Sequence, residues 1–368
     1  MSAIESFPLG DLTLIRIPAS GGVAVVDRRV QEIIEALGAG HSAADLAMRH
    51  AAAAGGLDAA MRQVAAVREA WLGLARPAAP PATIPLPGAM TDPALDAVCD
   101  AGERPVGLRV WPRGLARVLA AVTEPCRRPA GPAGASAEIA VRWGRGRYWL
   151  SVDGSVCLAT RDPMLARSEV LRRLVLASHP GRDWLAILHA AGIVGPDGAA
   201  LLCGSSGAGK STLTGMLVAS GLALVTDDYA PIEAGTHALW PVPFGLSVKE
   251  GSWPLLTPHL PALATAPVIR TRQRRQRYVA PPCWAAGPVP ARCLVFPLYT
   301  AGEPLSLIRL EPGEALAILA RSGGWYESSS ERLAELTGWL GTLPAYALSY
   351  GDGTAAVDAV RRLLAADA

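Results

Sequence analysis

A glycine-rich loop followed by lysine and serine is the clearest chemical feature of this 368-residue sequence. Gly204, Gly209, Lys210 and Ser211 satisfy the pattern G-x-x-x-x-G-K-[ST] at every fixed position. The glycines let successive backbone N–H groups turn towards phosphate oxygens, and a helix beginning near Lys210 directs its positive dipole end to the same place. The pattern predicts a nucleotide site in which Lys210 reaches the β and γ phosphates and Ser211 offers a hydroxyl to Mg²⁺.

The use of lysine supports this prediction, because the chain has 34 basic residues and only Lys210 and Lys249 are lysine. Lysine is expected to persist where a compact ammonium is needed and a planar guanidinium does not fit. We therefore expect Lys249 to contact the transferring phosphoryl group or an acid of the same site; a solvated surface position is the alternative. The predicted nucleotide-binding residues are Gly204, Ser205, Ser206, Gly207, Ala208, Gly209, Lys210, Ser211 and Thr212.

Two adjacent carboxylates, Asp227 and Asp228, follow the apolar run LALVT. They stand at the carboxyl end of a predicted strand, where α/β sheets place their ligands. One carboxylate can hold Mg²⁺ through water, and the other can take a proton from an attacking hydroxyl. An Asx-turn pair that caps the strand is the alternative. His189 lies fifteen residues before Gly204 and is either a structural histidine or a catalytic residue.

An arginine-rich stretch, RTRQRRQR, has five arginines in eight residues and little apolar content. We expect an exposed loop here, and Arg270, Arg272, Arg274 and Arg275 are candidates to bind a phosphate or an acidic peptide. A solvated loop with no dedicated ligand is the alternative.

The chain divides by pattern into three parts. Residues 1–76 predict a hairpin (LTLIRIP and GGVAVVD) and three helices (28–37, 42–54 and 57–75), which is a small winged-helix-like α+β domain. Ser42 and Asp45 form the capping signal of the second helix. Residues 77–93 are rich in proline and predict an extended linker.

Residues 94–368 predict an α/β domain that contains the phosphate loop. Its lead-in, 94–183, mixes short strands with a helix near Pro163–Leu176. Residues 184–368 are the nucleotide-binding core and C-terminal part. Their pattern predicts a helix from Trp184, a turn at GIVG, strand AALLC, the glycine loop, a helix from Lys210 to Ser220, and strand LALVT.

Composition bounds the compartment and the partners. No run approaches the 18 to 20 apolar residues that a membrane span needs, and the net charge of +2 does not indicate a nucleic-acid partner. The six cysteines include no CxxC pair, so we expect free cysteines in a reducing compartment. The start of the chain lacks a basic n-region, and we expect a cytoplasmic protein without a membrane partner.

The stretch from His189 to Ile232, HAAGIVGPDGAALLCGSSGAGKSTLTGMLVASGLALVTDDYAPI, resembles the core of HPr kinase/phosphorylase. It looks closer still to the HPr-kinase-like proteins of peptide-modifying clusters, including lasso-peptide kinases, to which PVPFGLSVKEGSWPLL, RYVAPP and LVFPLYTAGEP are also similar. The resemblance implies an HPr-kinase-like P-loop fold and phosphorylation of a hydroxyl, usually of serine, with ATP and Mg²⁺. It gives Asp227 the base role, supported by His189, and Asp228 a metal role, although the reverse assignment of the aspartates stays open.

The chain departs from that family at two points. Thr212 stands where bifunctional members have glutamate, and their glycine-rich second signature is missing, so the kinase reaction is the part of the family's activity that we expect here. The family is also compatible with a homo-oligomer.

The N-terminal stretch GGVAVVDRRVQEIIEALGAGHSAADLA resembles PqqD-like domains, which bind the leader of a precursor peptide as an added strand. This implies a ribosomally made precursor peptide as the partner. An ordinary winged-helix interaction module is the alternative, and its few clustered basic residues disfavour DNA. For the whole chain, the alternatives are a kinase of a carrier protein or small metabolite, and an ATP-gated binding module that transfers nothing.

Overall fold

The computed structural model describes residues 4–74, 92–129, 134–205, 207–271 and 274–365. Helices and strands are mixed throughout these ranges, so the predicted α/β class is confirmed. Most of the proline-rich segment 77–93 lies outside the described residues, as do Ser206 and Arg272. Within the described residues, no helix is both long and apolar enough to cross a membrane.

The elements are numbered along the chain. Residues 4–74 contain β1 (Glu5–Leu9), β2 (Leu12–Ile17), β3 (Gly22–Asp27), α1 (Arg28–Gly38), α2 (Ala43–Ala54) and α3 (Leu57–Leu74). Residues 92–183 contain β4 (Leu95–Cys99), β5 (Val106–Val110), α4 (Arg113–Val122), β6 (Arg127–Pro129), β7 (Ala137–Gly144), β8 (Arg147–Val152), β9 (Ser155–Thr160) and α5 (Pro163–Ser178).

The remaining elements follow in the same order. Residues 184–310 contain β10 (Trp184–Leu188), β11 (Ala190–Gly195), β12 (Gly198–Cys203), α6 (Lys210–Ala219), β13 (Leu224–Thr226), β14 (Ala230–Glu233), β15 (Ala238–Leu239), β16 (Leu246–Lys249), α7 (Trp253–Leu256), α8 (Ala262–Thr265), β17 (Ile269–Arg270), β18 (Arg275–Val279), β19 (Val289–Tyr299) and β20 (Ser306–Leu310). Residues 311–365 contain α9 (Pro312–Ser322), β21 (Gly324–Tyr326), α10 (Ser330–Thr342), β22 (Ala345–Tyr350) and α11 (Gly353–Ala365).

The first compact unit combines the described residues of Met1–Pro80 with Arg309–Ala345. Its sheet is antiparallel in the order β1-β2-β3, and α1 to α3 share a core that includes Ile33, Leu46 and Val64. The predicted hairpin and three helices are present, with β1 as an additional strand. Ser42 caps α2 as predicted, because its hydroxyl accepts a hydrogen bond from the backbone N–H of Asp45.

Residues 309–345 belong to this first unit, whereas the sequence analysis grouped them with the C-terminal part. The contacts that attach them cannot be read from local patterns, because they join residues more than 300 positions apart. Arg16 donates to the carbonyl of Ser328 at 2.5 Å and to the hydroxyl of Ser330 at 3.2 Å. Helix α9 approaches β1 so closely that a Cβ on Gly313 would lie 2.6 Å from the carbonyl oxygen of Leu9.

The second compact unit combines the described residues of Pro81–Ile308 with Tyr346–Ala368. Its lead-in is a six-stranded sheet in the order β6-β4-β5-β7-β8-β9, against which α4 and α5 pack. Asp162 caps α5, and Pro163 occupies the first helical turn, where no intrahelical N–H bond is lost. The predicted helix near Pro163–Leu176 is thus present and ends two residues later.

The main sheet of this unit has the order β13-β11-β12-β19-β15-β14-β10, with β22 also paired to β19. Helices α6 and α11 pack on it around a core that includes Leu202, Leu213 and Val360. A small separate sheet, β16-β18-β17, stands beside α6.

Two expectations at the start of the core are wrong. Trp184–Leu188 is strand β10 rather than a helix, and GIVG lies inside β11 rather than in a turn. All five residues of β10 are buried, so the run WLAIL has no alternation of polar and apolar residues. An apolar run of this length, covered on both faces, cannot be told from a buried helix by its periodicity.

Strand directions bring three chain segments to one edge of the main sheet. β11 is antiparallel to both β12 and β13, and β12 is parallel to β19. Therefore β12, β13 and β19 all run the same way, and their carboxyl ends lie at the same edge. Gly204, Asp227 and Tyr299 stand at these three ends.

Candidate active site

The glycine loop joins β12 to α6, which is the strand–loop–helix context that the motif requires. Gly204, Gly207 and Gly209 have φ of +151°, +103° and +97°, values that side-chain-bearing residues rarely adopt. Helix α6 begins at Lys210, and the first residues of the helix therefore present their N–H groups at the loop. This arrangement can bind a phosphate chain through backbone N–H groups and the helix dipole.

Lys210 lies within a buried cluster of charges rather than in solvent, its side chain being 6% exposed. Its Nζ donates to Asp228 Oδ1 at 2.6 Å and lies 3.6 Å from Asp227 Oδ1. His189 Nε2 is 3.2 Å from the same Asp228 oxygen. Residues from three separate segments, all predicted as site residues, are thereby brought together.

The two aspartates have different surroundings and opposite pKa shifts. Burial raises the pKa of Asp227, and the charge of Asp228 raises it further, against the attraction of Lys210. Burial alone would raise the pKa of Asp228 as well, but the Lys210 ammonium and the His189 hydrogen bond outweigh it and hold that pKa well below its usual range. Asp228 is therefore the more strongly stabilised as an anion, and it is the more accessible of the two, with a side chain 24% exposed.

The backbone at Asp228 has a φ of +66°, an uncommon conformation for a residue with a side chain. Such a conformation costs about 1–3 kcal/mol and persists where surrounding contacts hold it, which happens most often at functional sites. Here the bonds to Lys210 and His189 hold the carboxylate in place.

Asp227 has one oxygen held and one oxygen without a hydrogen bond. Its Oδ2 accepts from the backbone N–H of Ser247 at 3.0 Å, whereas the buried Oδ1 has no hydrogen-bond partner among the described residues. A buried carboxylate oxygen of this kind suits a hard cation such as Mg²⁺, which keeps several waters and takes one or two carboxylates. No group of three or more His, Cys, Asp or Glu in the described ranges is arranged to hold a metal by itself.

Lys249, the second lysine, ends β16 and belongs to the same electrostatic environment. Burial and the charge of Arg274 lower its pKa, while Asp228 and Asp227 act in the opposite direction. Lys210 is also near enough to lower it. Lys249 is partly buried, and the charges of the two carboxylates and of Lys210 act on its pKa, so it lies near this site.

The arginine-rich stretch is a hairpin of β17 and β18 rather than a plain loop, with Arg270 opposite Arg275. Arg275 forms an ion pair with Glu250 and lies over the ring of Trp253, so its charge is already engaged. Arg270 is exposed, and Arg274 contributes positive potential at Lys249.

Arg167 of α5 is a neighbour of the site that the sequence analysis did not identify. Its guanidinium carbon lies 5.7 Å from the ring centroid of Tyr278, and its buried Nε lacks a hydrogen-bond partner among the described residues. Burial would lower its pKa, but Tyr278, Tyr229 and both aspartates raise it. Almost all basic residues of the chain are arginine, so residue type alone does not distinguish Arg167 from the others.

Thr212 carries a further contact of the loop helix. Its hydroxyl lies 2.6 Å from the hydroxyl of Ser252, in the short 3₁₀ turn that follows Lys249. This contact ties the start of α6 to the segment that positions Lys249.

Comparison with known proteins gave no identification. No protein-family model matches the chain, and no curated protein matches it.

Proposed function

We propose that this protein is an ATP- and Mg²⁺-dependent kinase that phosphorylates a hydroxyl, with serine as the expected acceptor, of a ribosomally synthesised precursor peptide. The observation that carries the proposal is the partly buried chain His189–Asp228–Lys210, which stands beside Asp227 at the end of the phosphate loop. It supports a kinase because it joins a triphosphate cradle to an ionised carboxylate that is accessible to an acceptor.

The loop and its helix would bind the nucleotide. The N–H groups around Gly207 and Gly209 would surround the phosphates, and Lys210 would leave its pairing with Asp228 to contact the β and γ oxygens. Ser211 and Oδ1 of Asp227, which has no hydrogen-bond partner among the described residues, would hold Mg²⁺. When bound, the ion neutralises phosphate charge and fixes the orientation of the triphosphate.

Asp228 would accept the acceptor's proton, and this reverses the expected roles of the two aspartates. Asp227 is 2% exposed and cannot reach a peptide hydroxyl, whereas the Asp228 side chain is 24% exposed. The hydroxyl oxygen would form a bond to the γ phosphorus as the bond to the β,γ-bridging oxygen breaks. Its proton would pass to Asp228, which His189 orients, and ADP would leave.

Lys249 would contact the transferring phosphoryl group. We expect Lys249→Arg to lower kcat at least tenfold with little change in the KM for ATP, because a planar guanidinium replaces a compact ammonium at a position influenced by the charges of Arg274 and the two carboxylates. Steady-state kinetics would test this, with Lys249→Gln as the charge-removing comparison. Unchanged turnover in Lys249→Arg would contradict this role.

The first unit would bind the leader, as the PqqD-like resemblance implies. Among the described strands β3 pairs only with β2, so its other edge has no strand partner there and would be the place for an added strand. We expect a leader peptide to protect Gly22–Asp27 in hydrogen–deuterium exchange of the full chain, with a scrambled peptide as the control. Equal exchange with and without leader would contradict strand addition at this edge.

ADP release separates this proposal from its alternatives. Candidate precursor peptides encoded beside the protein, a carrier protein and a set of small hydroxy compounds would each be incubated with the protein, ATP and Mg²⁺. We expect ADP to accumulate only with a peptide. If ADP forms only with the carrier protein or a small hydroxy compound, that compound class is the substrate instead of a peptide. If ATP binds but no ADP forms under any condition, the ATP-gated binding module is favoured.

A further inference from the structure

Two tyrosines pack against the backbone of the phosphate loop. Tyr299 and Tyr350 end strands β19 and β22, and their rings meet edge to face with centroids 5.6 Å apart. The backbone N–H of Tyr299 donates to the carbonyl of Ala208 at 3.0 Å, and the Tyr350 hydroxyl donates to the carbonyl of Gly209 at 3.5 Å. The pair is thus fixed to the loop itself.

The contact is close enough to explain the glycine at position 209. A Cβ there would lie 2.7 Å from the Tyr350 hydroxyl and 2.9 Å from the Tyr299 Cβ, and the φ of +97° would strain any side-chain-bearing residue. Burial raises the pKa of Tyr350 to about 12, with the neighbouring Tyr299 adding to the shift, so this phenol stays protonated as a donor.

The two rings differ in exposure. Tyr350 is 2% exposed, whereas Tyr299 is 50% exposed although its backbone is tied to the loop. Tyr350 therefore acts as the support behind Tyr299, and Tyr299 presents an ordered aromatic surface to solvent beside the loop.

The sheet order places this surface at the opposite side of the loop from the carboxylates. Across the carboxyl edge, Asp227 follows β13, the loop follows β12, and Tyr299 ends β19, which is the next strand beyond β12. A triphosphate whose γ phosphate lies towards Asp228 must therefore extend its nucleoside end away from β13. That direction leads to the tyrosine pair.

We propose that the nucleobase stacks on the ring of Tyr299, which Tyr350 supports from behind. This inference rests on the proposed nucleotide site. Stacking on an aromatic side chain suits any base, because every base has a π face. The ligand class is thus a nucleoside triphosphate, held by its phosphates at the loop and by its base at Tyr299.

The test compares ATP with inorganic tripolyphosphate, which has the phosphates and lacks the base. Binding of each would be measured by calorimetry with Mg²⁺, for the wild type, Tyr299→Ala, Tyr299→Phe and Lys210→Ala. We expect Tyr299→Ala to weaken ATP binding about tenfold, equivalent to about 1.4 kcal/mol, and to leave tripolyphosphate binding unchanged. Tyr299→Phe keeps the ring and should bind both ligands as the wild type does.

Each other outcome overturns the inference in a recognisable way. If Tyr299→Ala binds ATP within twofold of the wild type while Lys210→Ala does not bind it, the nucleotide site stands and the base does not lie on Tyr299. If Tyr299→Ala weakens ATP and tripolyphosphate equally, the tyrosine only supports the loop. If the wild type binds neither ligand, the proposed nucleotide site is wrong, and so is the stacking of the base on Tyr299.

Discussion

Asp228→Asn is expected to lower kcat by about 10³-fold, within the range that a general base contributes. The amide keeps the shape of the side chain but cannot take the acceptor's proton. Lys210 retains Asp227 as a counter-charge at 3.6 Å, so we expect the affinity for ATP to change little. Single-turnover kinetics at saturating ATP would separate the chemical step from binding.

The matched control is Asp227→Asn, one position earlier in the chain. If Asp227 holds Mg²⁺ through Oδ1, the oxygen without a hydrogen bond among the described residues, this variant should need much more Mg²⁺ for half-maximal activity. Asp228→Asn should leave the Mg²⁺ dependence near that of the wild type. The reverse result, with the Mg²⁺ requirement raised by Asp228→Asn and kcat lowered at saturating Mg²⁺ by Asp227→Asn, would restore the assignment that the sequence resemblance implies.

Lys210→Met is expected to abolish phosphoryl transfer and to destabilise the chain at the same time. Methionine fills much of the same space without the charge, so Asp227 and Asp228 are left together in a buried site. Removing one partner of a buried ion pair costs about 3–5 kcal/mol. We expect the free energy of unfolding to fall by about 3 kcal/mol, because protonation of Asp227, whose pKa is already raised, limits the cost.

Urea denaturation would measure this loss in the absence of nucleotide, and calorimetry would measure ATP binding. Lys210→Arg is the informative comparison, since it keeps the positive charge and tests whether the site can hold the larger guanidinium. With a side chain only 6% exposed, the site has little room for a guanidinium, and we expect Lys210→Arg to lose transfer as well. Full activity in Lys210→Arg would mean that the compact ammonium is not required, and the argument from lysine usage would fail.

The sequence was informative where function is encoded in adjacent residues. The loop from Gly204 to Ser211 and the start of α6 follow from one short pattern, because the backbone conformation depends on local glycines. Asp227 and Asp228 were recognisable because an apolar strand precedes them. The family resemblance implied that His189 supports Asp227, whereas His189 contacts Asp228, and nothing local in the sequence dictates that contact.

What the sequence did not reveal depends on packing between distant segments. Arg167 reaches the site from α5 and is indistinguishable from other arginines by type. Tyr299 and Tyr350 adjoin the loop only because β19 pairs with β12 and β22 pairs in turn with β19. Strand β10 was predicted as a helix, because burial on both faces removes the alternation of polar and apolar residues that identifies a strand.

Intact-mass spectrometry of a candidate precursor peptide, incubated with the full chain, ATP and Mg²⁺, tests the central claim most directly. We expect a gain equal to one phosphoryl group on a peptide that contains serine. The gain should be absent with Lys210→Met and nearly absent with Asp228→Asn. An unchanged peptide mass alongside tight ATP binding, or a gain that persists in Lys210→Met, would contradict phosphoryl transfer at this site.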